Sequence, residues 1–260
     1  MSLVAKETQG YVYSLTFSDP LRRNALSGAL LGELTRGLRE AADEGCRALV
    51  LRAVPVQGVW SSGHDIDELP HGERDPLTWD NPLEAALRAV RDAPFPIIAQ
   101  VDGSVWGGAC DLAITCDLVV AVRSCTFAIT PARLGIPYNT AGVAHFVSAL
   151  PVHVAKEMFF TADPMGAERL AHFGVVNRLA EDASGAEQTA QQIAERISEL
   201  APLAIAAIKA EINSLTDARP MTSDNFERLS SLRTRAWTSS DYAEGLVAFR
   251  DKRPAQFTGA

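Results

Sequence analysis

The stretch from residue 96 to residue 122 constrains the fold of this chain more than any other. Residues 96–101 form an apolar run interrupted only by Gln100, which reads as a strand buried on both faces. Asp102-Gly103 ends it, and Gly107-Gly108 then opens a helix through about Thr115. Residues 117–122 read as a strand again, apolar and rich in valine after Asp117. A strand, a helix and a second strand in such quick succession predict a parallel pair with the helix as crossover. The chain is therefore read as α/β, with parallel sheets and helices outside them.

The same rhythm runs through the first two thirds of the sequence. Residues 11–17 read as a strand that Asp19-Pro20 breaks. Ser27 can cap a helix reaching about Asp43, because Leu30, Leu31, Leu34, Leu38 and Ala42 recur at three- and four-residue spacing. Residues 47–53 give a second strand, 54–76 a loop rich in Gly, Pro, Ser and His, and 82–92 a helix. Helices are predicted at 140–150, 154–160 and 167–173, with a short strand at 175–179. From Ser184 onward only helices are read, broken at Pro202, Pro220 and Thr238. This divides the chain into an α/β core over 1–200 and a helical region over 201–260.

Composition narrows the function. With 260 residues, 47% of them hydrophobic, the chain can bury a sizeable core. A net charge of −8 argues against a nucleic-acid partner, since no broad cationic face replaces counterions. A few placed Arg or Lys can still hold phosphates. None of Cys46, Cys110, Cys116 and Cys125 forms a C-x-x-C pair, so neither a zinc site nor a redox motif is expected. The pattern at 64–67, His-Asp-Ile-Asp, looks like metal ligands but lacks distant partners, so no metal is expected. His71, His145, His153 and His172 read as ordinary surface or core histidines. The N-terminal residues lack an apolar signal core and no apolar run reaches bilayer length, so the expectation is a cytoplasmic protein without a membrane partner.

Two glycine-bearing segments carry the chemistry, Ser62-Gly63-His64-Asp65-Ile66 and Gly103-Ser104-Val105-Trp106-Gly107-Gly108-Ala109. Each follows a predicted strand, at the sheet edge where open α/β proteins bind ligands. Without a Cβ, glycine lets backbone N–H groups approach a ligand closely, and at a helix start those groups are unpaired and lie at the positive end of the dipole. Gly108 therefore suits a developing oxyanion, and an N–H from the His64 region completes a two-donor hole. Either segment alone is equally readable as a tight turn.

Together, however, they resemble the crotonase (enoyl-CoA hydratase/isomerase) family, whose members carry segments like F-x-A-G-x-D-I and G-x-x-x-G-G-G. The resemblance maps the family's oxyanion donors onto the N–H groups of His64 and Gly108. Arg22-Arg23-Asn24-Ala25-Leu26 resembles the family's K-x-N-A-L coenzyme A segment, and Phe249-Arg250-Asp251-Lys252-Arg253-Pro254 its closing F-x-x-K-R-x-P. Arg22, Ala25, Leu26, Ser62, Ile66 and Lys252 are thereby implied in binding CoA. The fold implied is the crotonase spiral of ββα units with a helical C-terminal region that packs homotrimers or homohexamers. An acyl-CoA thioester is then the substrate, with no further cofactor.

The departures from the pattern point to the reaction. The family's hydratases use two glutamates. Here the first is Asp111, and the segment Phe127 to Gly135 puts Pro131 at the second, where no acid or base is possible. An oxyanion hole without hydration machinery suits decarboxylation, in which the substrate supplies its own leaving group. Ser62 to Pro70, the Trp106 segment, Thr130-Pro131 and Leu134 to Asn139 resemble the decarboxylating branch of the family, which acts on methylmalonyl-CoA. That resemblance implies Tyr138 near the substrate carboxylate, its hydroxyl orienting the group, with Thr130, Asp111 and Trp106 as further substrate contacts. Two readings stay beside it: a hydratase or isomerase using Asp111, and a catalytically silent acyl-CoA-binding homologue.

Overall fold

The computed structural model describes residues 2–70, 75–217 and 221–259, so His71 and the break expected at Pro220 lie outside the described residues. The chain winds as a spiral; after an opening hairpin whose two strands share one sheet, each turn gives a strand to that sheet, a strand to a second sheet and then a helix. The opening turn is β1 (Val4–Gln9), β2 (Val12–Phe17) and α1 (Gly28–Asp43). Next come β3 (Ala48–Ala53), β4 (Val59–Ser61) and α2 (Pro82–Asp92), and then β5 (Ile97–Val101), β6 (Ser104–Trp106) and α3 (Gly108–Thr115). The last full turn is β7 (Leu118–Val122), β8 (Thr126–Ala128) and α4 (Thr140–Ala149). α5 (Val152–Thr161), β9 (Met165–Gly166), α6 (Ala167–His172), β10 (Arg178–Ala180) and α7 (Ala183–Ser198) close the core. α8 (Pro202–Asp217), α9 (Ser223–Trp237) and α10 (Ser240–Arg250) follow.

The larger sheet runs β1-β2-β3-β5-β7-β10, parallel except for the β1/β2 hairpin. Its register aligns Leu15 with Leu51, Leu51 with Ala99 and Ala99 with Val119, a row of buried side chains crossing four strands. The smaller sheet runs β4-β6-β8-β9. Trp60 on β4 fastens the two together. It is fully buried, meets Phe17 edge-on at 4.8 Å, and donates its indole N–H to the Gln100 carbonyl at 2.8 Å.

α1 starts where Ser27 was expected to cap it, the Ser27 hydroxyl accepting from the Leu30 N–H. The strands β1, β4, β6, β8 and β9 were not anticipated. β1 is an edge strand whose side chains are mostly exposed, and the others have two or three residues, too few for any periodicity. The strand expected at 175–179 sits later, at β10, because Val175 and Val176 turn into the core before it. Among the described residues no helix is long and apolar enough to cross a membrane.

The C-terminal helices fold back on this core. α8 is pinned by Lys209, buried, whose ammonium donates to the Val90 and Phe95 carbonyls and to Asp117 at 2.9, 3.0 and 2.7 Å. α9 and α10 build a second small core from Trp237, Tyr242 and Leu246 against Leu69, Leu77 and Ile136. The Tyr242 hydroxyl donates to the Pro70 carbonyl at 2.9 Å, which seats α10 beside the glycine-bearing loops. Asp117 is partly exposed, so the larger loss on removing the ammonium is at the Val90 and Phe95 carbonyls, at about 1–3 kcal/mol for each buried acceptor left unsatisfied. Lys209→Met should therefore lower the urea midpoint at fixed protein concentration by an amount worth about 2 kcal/mol or more. A loss under about 1 kcal/mol would show that Lys209 does not anchor α8.

Candidate active site

The two glycine-bearing segments lie at the ends of β4 and β6, paired strands of the smaller sheet. Gly63 has φ +89°, and a Cβ there would lie 2.4 Å from the Trp106 carbonyl oxygen, so only glycine fits this crossing. Around it the chain is held by polar contacts. The Gly63 carbonyl accepts from the Leu26 N–H at 2.7 Å, and its N–H donates to Ser61 Oγ, whose hydroxyl donates to the Asn24 carbonyl. Gly107 precedes α3 with φ +53° and donates its N–H to the Ala128 carbonyl. Gly108 is the first residue of α3, and a Cβ on it would come within 3.8 Å of the His64 nitrogen. The His64 and Gly108 N–H groups are thus neighbours, and among the described residues neither has a hydrogen-bond partner.

Both residues face a cavity of about 90 Å³, walled by Ile66, Leu69, Leu77, Leu83, Leu134, Ile136 and Phe249. A space this size takes a few heavy atoms and not a whole cofactor-sized ligand, for which roughly 300–1,000 Å³ is usual. Its polar lining is sparse: Ser62, His64, Thr130 and Tyr138. Among the described residues the Thr130 hydroxyl has no hydrogen-bond partner. Pro131 is in the same wall, where it offers no acid or base. Burial depresses the pKa of the His64 imidazole and keeps it neutral, and its Nδ1 has no partner among the described residues.

The charges lie behind this wall. The Tyr138 hydroxyl donates to Asp111 Oδ2 at 2.9 Å. Asp111 Oδ1 accepts from Thr115 Oγ1 at 3.2 Å and meets His145 Nδ1 at 2.8 Å. Glu84, on α2, takes a hydrogen bond from Asn139, the N-cap of α4. Burial pushes the Glu84 carboxyl up, an effect the Asn139 bond partly offsets. Burial and the neighbouring Asp111 carboxylate hold the Tyr138 phenol well above its ordinary value, so it stays protonated.

The expected residues divide accordingly. His64, Gly108, Thr130, Tyr138, Ser62 and Ile66 converge on the cavity. Asp111 does not line it: its carboxylate is fully buried and engaged by three side chains. The Tyr138 hydroxyl was expected to orient a substrate carboxylate, but its proton is committed to Asp111. Trp106 is not in the wall either, and its indole N–H donates to Ser104 Oγ at 3.0 Å. Arg22 is half-exposed and paired with Asp65 at 2.8 Å. Ala25 and Leu26 are buried beside the His64 segment, Leu26 forming a parallel bridge with His64. Lys252 is exposed, in a left-handed turn three residues beyond Phe249. Leu83 and Glu84, on α2, were not anticipated, and Phe249 and Asn139 stood in family-like segments without a role assigned to them. His145, read as an ordinary histidine, proves to be bound to Asp111.

Fold and site together define a CoA-thioester protein of the crotonase class, and the chain belongs to the enoyl-CoA hydratase/isomerase family, which matches residues 7–260. Its sequence is 41% identical over 245 residues to methylmalonyl-CoA decarboxylase of Escherichia coli K12, covering 94% of each chain. It is 30% identical to carnitinyl-CoA dehydratase of Escherichia coli O157:H7, over 96% of each. A solved structure of methylmalonyl-CoA decarboxylase in complex with 2-nitronate-propionyl-CoA superposes with a TM-score of 0.96 at 40% identity, covering 99% of both chains.

The depressed His64 pKa has a consequence for stability. The unfolded chain takes up this proton near pH 6.5 and the folded chain only at lower pH, so His64 adds no penalty above 6.5 and destabilises as pH falls below it. An NMR titration of the His64 ring should give a midpoint below 6.5. A midpoint at or above 6.5 would contradict its placement in the wall.

Proposed function

We propose that the protein decarboxylates methylmalonyl-CoA to propionyl-CoA and carbon dioxide through a thioester enolate. The observation that carries this reading is the pair of unpaired N–H groups, His64 and Gly108, at a small cavity whose walls hold no carboxylate. The 41% identity to a methylmalonyl-CoA decarboxylase supports it. So does the nitronate bound by the similar solved structure, since a nitronate is a planar anion that resembles a substrate on its way to an enolate.

The thioester carbonyl oxygen sits between the two N–H groups, with the carboxylate turned out of the thioester plane. The C–C bond then lies parallel to the carbonyl π system, and its electrons flow into the carbonyl as carbon dioxide departs. Charge grows on the oxygen, where the donors and the N-terminal end of α3 stabilise it. A weakly polar wall suits the other end of the substrate. A cationic partner would hold the carboxylate in the ground state and oppose its loss. The Thr130 hydroxyl can orient the carboxylate without that penalty. Tyr138 closes the wall with its ring, which packs edge-on against Phe159 at 5.4 Å.

Coenzyme A lies outside the acyl cavity on this reading, near the Arg22 to Leu26 segment, with Arg22 and Lys252 as phosphate partners. The helical region 201–260 forms the subunit contacts of a homotrimer or homohexamer. The exposed Leu203, Leu215 and Phe226 on α8 and α9 support that assignment.

Purified protein should convert methylmalonyl-CoA to propionyl-CoA, read by mass spectrometry, and leave crotonyl-CoA unhydrated. Hydroxybutyryl-CoA from crotonyl-CoA, with no propionyl-CoA, would establish a hydratase instead. Binding of both thioesters without product would establish a silent acyl-CoA-binding protein. Gly108→Ala tests the oxyanion hole itself. The new methyl meets the tip of Leu83, which can move, so the melting curve should hold. Turnover should fall about 10²–10³-fold as the carbonyl is displaced from its donors.

A further inference from the structure

The α-carbon of a malonyl-type thioester carries the carboxylate that leaves and a second group that stays. The two glycines at the start of α3 have different neighbours. A Cβ on Gly107 would lie 3.6 Å from the Thr130 hydroxyl oxygen, whereas a Cβ on Gly108 would lie 2.6 Å from Leu83 Cδ2. One side of the oxyanion hole is therefore polar, and the other is the tip of a leucine. Leu83 is buried and lines the acyl cavity beside Gly108.

Leu83 is placed by more than packing. It is the second residue of α2, and its N–H donates to Asn81 Oδ1 at 2.9 Å. The Asn81 amide in turn donates to the Pro76 carbonyl at 3.0 Å. Next along the helix, Glu84 accepts from Asn139, which ties this turn of α2 to the start of α4. A retreat of Leu83 from the hole would break these bonds. The cavity in front of it, about 90 Å³, leaves little spare room.

We propose that Leu83 selects the substrate by the size of the group that stays on the α-carbon, admitting hydrogen or methyl and penalising ethyl and larger groups. The proposal rests on the decarboxylation reading, which sets the carboxylate toward Thr130 and turns the second group toward Leu83. It narrows the substrate class to malonyl thioesters with at most one carbon at that position. A carbonyl oxygen held by the Gly108 N–H keeps the α-carbon two bonds away, so its substituent passes close to the Leu83 tip. An added methylene there meets occupied space. The tip can be pushed aside, so the limit is a graded penalty rather than a bar. One methylene in an apolar pocket changes kcat/KM by about 10–200-fold.

A purely structural role for Leu83 makes a different demand. Cutting the side chain back would then loosen α2 and the hole beside it, and every thioester would suffer alike. Size selection instead changes one substrate relative to another. Leu87, one turn further along α2, is as deeply buried but lies outside the acyl wall, and it supplies the comparison.

The test sets methylmalonyl-CoA against ethylmalonyl-CoA, read as propionyl-CoA and butyryl-CoA, in the wild-type protein, Leu83→Ala and Leu87→Ala. The wild-type protein should favour methylmalonyl-CoA by about 10-fold or more in kcat/KM. Leu83→Ala removes three carbons where ethyl adds one. It should raise the ratio of ethylmalonyl to methylmalonyl turnover by about 10-fold or more, while Leu87→Ala leaves that ratio at its wild-type value. Equal use of both thioesters by the wild-type protein, or a ratio that moves no further in Leu83→Ala than in Leu87→Ala, would overturn the proposal. Binding gives a measure that needs no turnover. 2-Methylbutyryl-CoA and 2-ethylbutyryl-CoA differ by the same methylene and carry no carboxylate. Calorimetry should find the larger one about 10-fold or more weaker in the wild-type protein, and the gap narrowed in Leu83→Ala. If the wild-type protein released no carbon dioxide but showed this gap, the decarboxylation reading would fail and the size limit would stand as a limit on acyl binding. If it decarboxylated methylmalonyl-CoA and showed no gap in either measurement, the size limit alone would fail.

Discussion

At Gly63 the loop after β4 crosses the backbone of β6 so closely that a Cβ would lie 2.4 Å from the Trp106 oxygen. Much of the site depends on this approach. It brings the residue after Gly63 against the first residue of α3, so that two N–H groups from different turns of the spiral meet at one point. Neither turn holds this arrangement alone. The Gly63 segment is braced by Leu26, Ser61 and Asn24, and Gly107 is tied to Ala128 on β8. Trp60, bonded to Gln100 and packed on Phe17, then fixes the small sheet to the large one. The donors are preorganised because the packing of two sheets fixes their positions before any ligand arrives.

The electrostatic design follows from where charge is admitted. Charged groups are excluded from the acyl wall and gathered behind it, where Asp111, His145, Glu84 and Asn139 satisfy one another. Burial raises the pKa of Tyr138 and lowers that of His64, so both stay neutral. On the proposed reading, a developing oxyanion in such surroundings meets the two N–H groups and the end of a helix. One donor of this kind is worth about 2.7–4 kcal/mol in comparable sites, more than a surface ion pair at about 0–1 kcal/mol. On that reading the same neutrality leaves a substrate carboxylate without a cationic partner, which favours its departure.

Much of this was legible in the sequence, and the parts that were not share a physical reason. Periodic leucines behind Ser27 specified α1, and glycine at 63 and 108 marked the backbone donors. The smaller sheet was missed because its strands are two or three residues long and owe their existence to neighbours in the spiral rather than to local pattern. The family resemblance supplied Thr130, Ser62 and Ile66, yet it could not give the direction of the Tyr138 hydroxyl. That direction depends on Asp111, 27 residues away in sequence. His145 was read as ordinary for the same reason, since a histidine on an alanine-rich helix shows no sign of its partner. Lys209 carried no signal in the sequence, and only the packing of α8 reveals the two carbonyls and the carboxylate that it meets.

The central claim is that the backbone N–H groups of His64 and Gly108 polarise a thioester carbonyl. Isotope-edited infrared spectroscopy of propionyl-CoA, labelled with ¹³C at the carbonyl and bound to the protein, tests it most directly. Two hydrogen bonds in a water-poor site weaken the C=O bond beyond what water does. The stretch of the bound carbonyl should therefore move to lower frequency than that of the same thioester free in solution. A bound carbonyl stretching at or above the solution frequency would contradict the account.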